Sequence, residues 1–283
     1  MEKIVKVVAV GDNCIDYYDA TGESYPGGNP VNVAVYIKRL GGESSYIGAV
    51  GTDEMGQLMI SALEKKGVNT SNVQIIEGKT AVTHVEVING DRVFGDYEEG
   101  VLANFQLKEE DFALIFQHDL LVTGIWGMIE NELPLIVKKI PVAFDFANKF
   151  ANPILEQAIS NVTYAFFSYD EESREDFLHK YQQLGLEYKE DPLERLKEFM
   201  KAMHKRGPRV VVATMGENGS IAFDGKTWYR FGIVQCNVVD TMGAGDSFIA
   251  GFLYGSLQGL GVQEAMEVGA KNSALTLEYK GAW

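Results

Sequence analysis

Cysteine, tryptophan and histidine are scarce: the 283-residue chain carries 2, 3 and 4 of them. Cys14 and Cys236 have no spacing suited to a zinc centre or a disulfide framework, and a reducing cytoplasm is the compartment expected. Positive charge is short too. Twenty-five Lys and Arg face 40 Asp and Glu, a net charge of −15, so a polyanion would meet repulsion and nucleic acid is excluded as a partner. No long apolar run is present either. The longest stretch without Asp, Glu, Lys, Arg or His covers 247–263, but Gly251, Gly255, Gly259 and Gly261 interrupt it. It falls short of the roughly 20 apolar residues of a membrane span, so no membrane is expected as a partner and the stretch is read as a buried core helix. The opening Met1-Glu2-Lys3 lacks the basic region and cleavage site of a secretory signal, so no export is expected.

What is present is a core. With 46% hydrophobic and 23% charged residues the chain buries enough apolar surface to exclude general disorder. Short apolar runs at 4–10, 45–50, 120–123, 142–146, 164–167 and 210–214 are candidate strands, most of them continuous in hydrophobicity as parallel strands buried on both faces are. Helical patterns at 31–40, 54–66, 131–139, 192–206 and 265–279 alternate with them. That alternation implies a doubly wound α/β fold with a mostly parallel sheet.

One segment breaks it. Residues 82–88 and 91–97 flank Asn89-Gly90, the strongest short-range signal for a hairpin with a type I′ turn. Its polar side chains, among them His84, Glu86, Arg92, Asp96 and Glu98, exclude the middle of a sheet, so it is expected to stand off with 17–25 as a small lid. The charged stretch 170–198 is expected to be a solvated helical excursion.

The tightest motif is Asp240-Thr241-Met242-Gly243-Ala244-Gly245-Asp246. Glycines just where a helix begins leave backbone N–H groups open, which makes an anion site. Small residues at Gly243, Ser247, Gly251 and Gly255 are expected to let that helix lie close against the sheet. Asp246, beside the amides, either accepts a proton from a hydroxyl attacking a bound phosphate or merely complements the helix dipole. A second motif, Pro26-Gly27-Gly28-Asn29-Pro30-Val31-Asn32, opens another helix; Asn29 is either a sugar ligand or a plain N-cap. Asp12 and Asn13 follow the first strand at the end where α/β sheets place ligands, with turn chemistry as the competing reading. The segment 214–219 is either a hairpin turn or a nucleotide-facing loop. Gly78-Lys79-Thr80 is no P-loop, since Val73 stands where its first glycine belongs, and Gly243-x-Gly245 lacks the third glycine of a dinucleotide fingerprint.

Jointly and in this order, these pieces resemble the ribokinase-like carbohydrate kinases, the PfkB family, across essentially the whole chain. The 240–246 run is similar to one signature of that family, Gly27-Gly28-x-x-x-Asn32 to another, and Thr214-x-Gly216-x-x-Gly219 to its nucleotide loop. Gly11-Asp12-Asn13-Cys14, the run 91–97, Ile125-Trp126-Gly127, Gly216-Glu217-Asn218-Gly219-Ser220 and Gly281-Ala282-Trp283 are similar to the fructosamine-phosphorylating branch.

The resemblance implies one ribokinase-like domain over 1–283, with helices on both faces of the sheet and a β lid at 17–25 and 82–97. It implies ATP-dependent phosphorylation of the 6-hydroxyl of a fructosamine. A plain ketose, a 2-keto sugar acid or a nucleoside is the alternative acceptor, and a non-catalytic sugar sensor the alternative outside enzymes. By the same resemblance Asp246 is the base, and the amides of Gly243, Ala244 and Gly245 form the anion hole. Asp16, Gly28, Asn29 and Asn32 hold sugar hydroxyls, while Thr214, Gly216, Gly219 and Ser168 lie along ATP. Asp12, Arg92 and Asp96 answer the charges of the amino-acid part; for Glu98 and Glu99 a solvated hairpin is the expectation. Glu171 keeps the family's place near magnesium, with Ser168 where the family has asparagine. Potassium is implied near Asp240 and the 279–281 loop, and pairing of two copies through the lid.

Overall fold

Runs of Val, Ala, Phe and Leu with both faces buried build the centre of the protein, whose computed structural model describes residues 3–88 and 91–283. In chain order the first strands are β1 (Lys6–Val10), β2 (Cys14–Tyr18), β3 (Glu23–Gly27), β4 (Glu43–Ile47), β5 (Ala49–Gly51), β6 (Gln74–Ile76) and β7 (Val82–Ile88). They are followed by β8 (Asp91–Glu98), β9 (Leu120–Gly124), β10 (Val142–Asp145), β11 (Tyr164–Ser168), β12 (Val210–Thr214), β13 (Ser220–Phe223) and β14 (Trp228–Phe231). The helices are α1 (Asn29–Arg39), α2 (Glu54–Lys65), α3 (Glu109–Ile115), α4 (Leu133–Ile136) and α5 (Ile154–Ala158). After them come α6 (Arg174–Gln183), α7 (Pro192–His204), α8 (Ala244–Leu257) and α9 (Val262–Leu277).

Eight strands form one sheet in the order β14-β13-β12-β11-β10-β9-β1-β4. From β4 to β12 every pairing is parallel, and β13 and β14 add antiparallel at the edge. Because side chains alternate across a strand, neighbouring residues feed opposite cores. Val8, Leu121, Phe144, Phe167 and Val211 pack on one face with Ile115, Phe177, Phe199 and Met203 from helices or their ends. Val7, Val122, Ala143, Phe166 and Val212 pack on the other with Val33, Ile37, Phe248 and Phe252 of α1 and α8. Helices thus cover both faces, as expected.

The lid strands form a separate four-stranded sheet, β3-β2-β7-β8, so the expected hairpin does stand off the main sheet. Its Asn89-Gly90 turn and the Arg92 side chain lie outside the described residues.

Several expectations need correction. The run 45–50 is not one strand: it divides between β4 in the main sheet and β5, which pairs with β6. Gly48 sits at the division, where a Cβ would be driven into Tyr46 and the Gly11 carbonyl. The pattern at 131–139 yields only α4, a single turn. The 247–263 stretch is a buried helix only to Leu257, where α8 ends, and α9 starts at Val262. The small-residue stripe of α8 faces α9 rather than the sheet: a Cβ on Gly251 would fall 2.7 Å from Gly269 Cα. The charged 170–198 stretch is helical but not merely solvated. Phe177 and Tyr181 are fully buried in an aromatic cluster with Phe150 and Phe199, and Lys180 and Arg195 are buried with them.

Candidate active site

The mouth of α8 is fixed by backbone chemistry. Asp240 Oδ1 accepts the Met242 N–H at 2.9 Å and Oδ2 accepts the Gly281 N–H at 2.7 Å, which clamps the loop before the helix. Gly243 caps α8 at φ 71, a left-handed conformation where a Cβ would also strike the Tyr36 hydroxyl. The first N–H groups of a helix have no acceptor within it, so the turn through Gly243, Ala244 and Gly245 presents donors and a partial positive charge, although the Ala244 N–H also donates to the Thr241 carbonyl at 3.3 Å.

Asp246, in that first turn, is met by two amides from α1. Asn29 Nδ2 donates to Asp246 Oδ1 and Asn32 Nδ2 to Asp246 Oδ2, each at 2.6 Å. Asn29 is therefore not the N-cap that local sequence allowed: Gly28 holds that position and Asn29 is the first residue of the helix. The two asparagines are three residues apart, hence on one face of α1. Desolvation pushes the Asp246 carboxyl up to about 6, with the two amide bonds pulling it back down.

A residue that sequence reading missed completes the group. Asp145, at the carboxyl end of β10, accepts the second Asn29 N–H on Oδ2 at 2.9 Å and the Ala147 N–H on Oδ1 at 2.8 Å. Burial first, then the charge of Asp246, pushes its carboxyl up to about 7. Asp12, after β1, is also pushed up to about 7, by burial and then by Asp246. Three carboxylates thus converge where strand ends meet α8. Asp12 Oδ1 and Asn29 Oδ1 are buried acceptors without a partner among the described residues, suited to a hydroxyl or an ammonium.

Other expected residues distribute unevenly. Asp16 is buried on β2 beside Gly27, where a Cβ would lie 2.8 Å from its Oδ2. Gly28 lets the chain lie directly on Asn13, which is structural: its amide donates to the Tyr46 hydroxyl and the Ala49 carbonyl, both at 2.8 Å. Asp96 is not brought to this group. It is exposed and influences His84 together with Asp19 and Glu98, whereas Tyr97 lies near Asp12 and Cys14. A break in the β7–β8 register between Thr83 and Val85 accompanies that placement. Glu171 is also apart, exposed and paired with Arg174 at 2.9 Å.

On the far side of the α8 mouth a cavity of about 400 Å³ is lined by Thr214, Gly216, Gly219, Val238, Ala244, Gly245, Phe248 and Leu277 among others. The 214–219 segment is thus both a hairpin connection, between β12 and β13, and a wall of this cavity. Ser168 stands behind it, its hydroxyl 3.4 Å from that of Thr214. Gly243 to Asp246 separates this cavity from the carboxylate group, so a phosphate at the helix mouth would face both.

A model of the pfkB family of carbohydrate kinases matches residues 2–283. The chain belongs to that family. Among pfkB kinases it is 41% identical, over 98% of its length and 99% of the relative's, to fructoselysine 6-kinase of Escherichia coli (strain K12). It is 35% identical to fructosamine kinase FrlD of Bacillus subtilis (strain 168), over 99% of this chain and 93% of that one. Its fold is similar to that of Arabidopsis thaliana ribokinase complexed with ribose and ATP, at a TM-score of 0.84 and 20% identity, over 99% of this chain and 94% of that one. A pfkB kinase with this fold is a sugar kinase, and among the described residues no helix is long and apolar enough to cross a membrane.

Proposed function

We propose that this kinase transfers the γ-phosphoryl group of ATP to the 6-hydroxyl of fructoselysine or a close fructosamine. The observation that carries the chemistry is Asp246, held by two amide donors beside the open N–H groups of α8. Its carboxylate takes the proton of the attacking hydroxyl while the amides of Gly243, Ala244 and Gly245 balance charge on the phosphoryl oxygens. The apolar cavity beside Thr214, Gly216 and Gly219 suits the adenine end, with Ser168 behind it.

The acceptor follows from the relatives and from charge. A fructosamine carries amines that protonate, and the sugar side of this site is lined by Asp12, Asp16, Asp145 and Asp246. We assign Asp12 to an ammonium group of the acceptor and Arg92, in the β8 segment, to its carboxylate. Asp16, Gly28, Asn29 and Asn32 surround the sugar.

Magnesium bound with ATP would offset the charge of the phosphates. Glu171, exposed and paired with Arg174, would have to leave that pair to serve the ion. Potassium would be held near the 279–281 loop, which Asp240 fixes by accepting the Gly281 N–H, and would supply positive charge close to the mouth of α8. Two copies are proposed to pair through the lid sheet.

An acceptor panel with ATP and magnesium tests the reading: fructoselysine should exceed fructose in kcat/KM by at least about tenfold. Equal use of the two would remove the fructosamine assignment and leave the kinase assignment standing.

A further inference from the structure

The base is held by Asn32, and Asn32 is held in turn. Trp283 Nε1–H donates to Asn32 Oδ1 at 2.8 Å, while Asn32 Nδ2 donates to Asp246 Oδ2 at 2.6 Å. A carboxamide turned over about its last bond has almost the same shape but opposite hydrogen bonding. Turned over here, Asn32 would aim its oxygen at a carboxylate and its NH2 at the indole N–H, two mismatches at once.

The 279–283 segment that carries Trp283 is fixed independently of Asn32. The hydroxyls of Tyr36 and Tyr279 both donate to the Ala282 carbonyl, and Gly281 N–H donates to Asp240. Lys66 Nζ lies 5.7 Å from the centroid of the indole ring. Trp283 is half-buried and packs against the core on the α1 and α8 face of the sheet, and it is not among the residues lining the nucleotide cavity.

We propose that Trp283 is a positioning residue for phosphoryl transfer, its indole N–H fixing the Asn32 amide in the one orientation that donates to Asp246. The proposal rests on the reading of Asp246 as the base. Without the lock, Asn32 spends part of its time turned over, and Asp246 loses a donor that favours its charged form.

Trp283→Phe keeps an aromatic ring and removes the N–H. The acid limb of kcat against pH should move upward by about one unit, so that kcat falls about fivefold near pH 6, approaches a tenfold loss at lower pH and recovers by pH 8, with KM for ATP unchanged. Trp283→Tyr should give the same limb, whereas a packing defect would differ between the two rings. Combined with Asn32→Ala, Trp283→Phe should add no further loss, because the lock has nothing left to hold. A wild-type acid limb in both ring variants, or losses that multiply in the double variant, overturns the proposal. Asp246→Asn separates the two layers: if it turns over normally, the base reading itself fails, whereas an inactive Asp246→Asn beside a normal Trp283→Phe overturns only the role of Trp283.

Discussion

Asp145 and Asp246 share one amide group: Asn29 Nδ2 donates to Asp145 Oδ2 at 2.9 Å and to Asp246 Oδ1 at 2.6 Å. Two carboxylates in direct contact would share a proton, and one of them would cease to be a base. With an NH2 between them each keeps its own donor, and burial first, then the repulsion that remains, raises the proton affinity of Asp145.

The direct test of the base is Asp246→Asn, which preserves size and removes proton acceptance. We expect kcat to fall by about 10²- to 10⁴-fold. Nucleotide affinity by calorimetry should stay within about twofold, because Asp246 is not among the residues lining the nucleotide cavity.

Turnover should depend on pH through the same group. Asp246 must be ionised to act, and its carboxyl is pushed up to about 6, so kcat should rise as pH passes through that value. Asn29→Ala removes a donor that favours the ionised form, so its limb should lie at higher pH than the wild-type limb. A limb that moves downward, measured with saturating substrates, would contradict the arrangement.

Stability should run the other way. Asp12 and Asp145 titrate near 7 in the folded protein against an ordinary value of 3.8, so the folded form holds protons that the unfolded chain has released. Their contribution is complete below about 3.8 and is lost as pH rises to about 7, so the ligand-free protein should melt lower at pH 8 than at pH 5.5. Asp145→Asn, neutral throughout, should flatten that decline and melt higher than wild type at pH 8 by about 2 °C or more. An unchanged slope in calorimetric scans would count against the buried charge.

Substrate preference should follow the two charged ends of the acceptor. Arg92→Ala and Asp12→Asn are each expected to lower kcat/KM for fructoselysine by about tenfold or more, and to lower that for fructose less. Equal losses on both acceptors, in parallel initial-rate assays, would assign these residues to the sugar or to folding instead.

The parts of the site written as contiguous motifs were legible in the sequence, because a glycine turn before a helix needs particular residues next to one another. Gly243 to Asp246 and Gly28 to Asn32 stand where that reading put them, at two helix mouths that face each other. Asp145 was not legible: one acidic residue ending an apolar run has no local signature. The available signal was its place at the carboxyl end of a parallel strand, where α/β sheets gather their ligands. Asn29 was ambiguous because a residue that can cap a helix is chemically the same as one that can hold a carboxylate, and only the neighbours, 116 and 217 residues away, decide. The aromatic contribution of 170–198 was hidden by the charge around it, since Phe177 and Tyr181 are few among many acidic and basic residues but enter the core together with Leu196.

The contact between Gly251 and Gly269 leaves no room between α8 and α9 for even one methyl group. Helices in backbone contact resist sliding and rolling past each other, so α8 is braced against α9. A catalytic cycle that needs motion would draw it from the four-stranded lid, which joins the main body through the Gly11–Asn13 turn, the start of α1, and the segments 77–81 and 99–100. In energetic terms, the groups that balance transition-state charge are set during folding, and substrate binding need only bring the sugar to them.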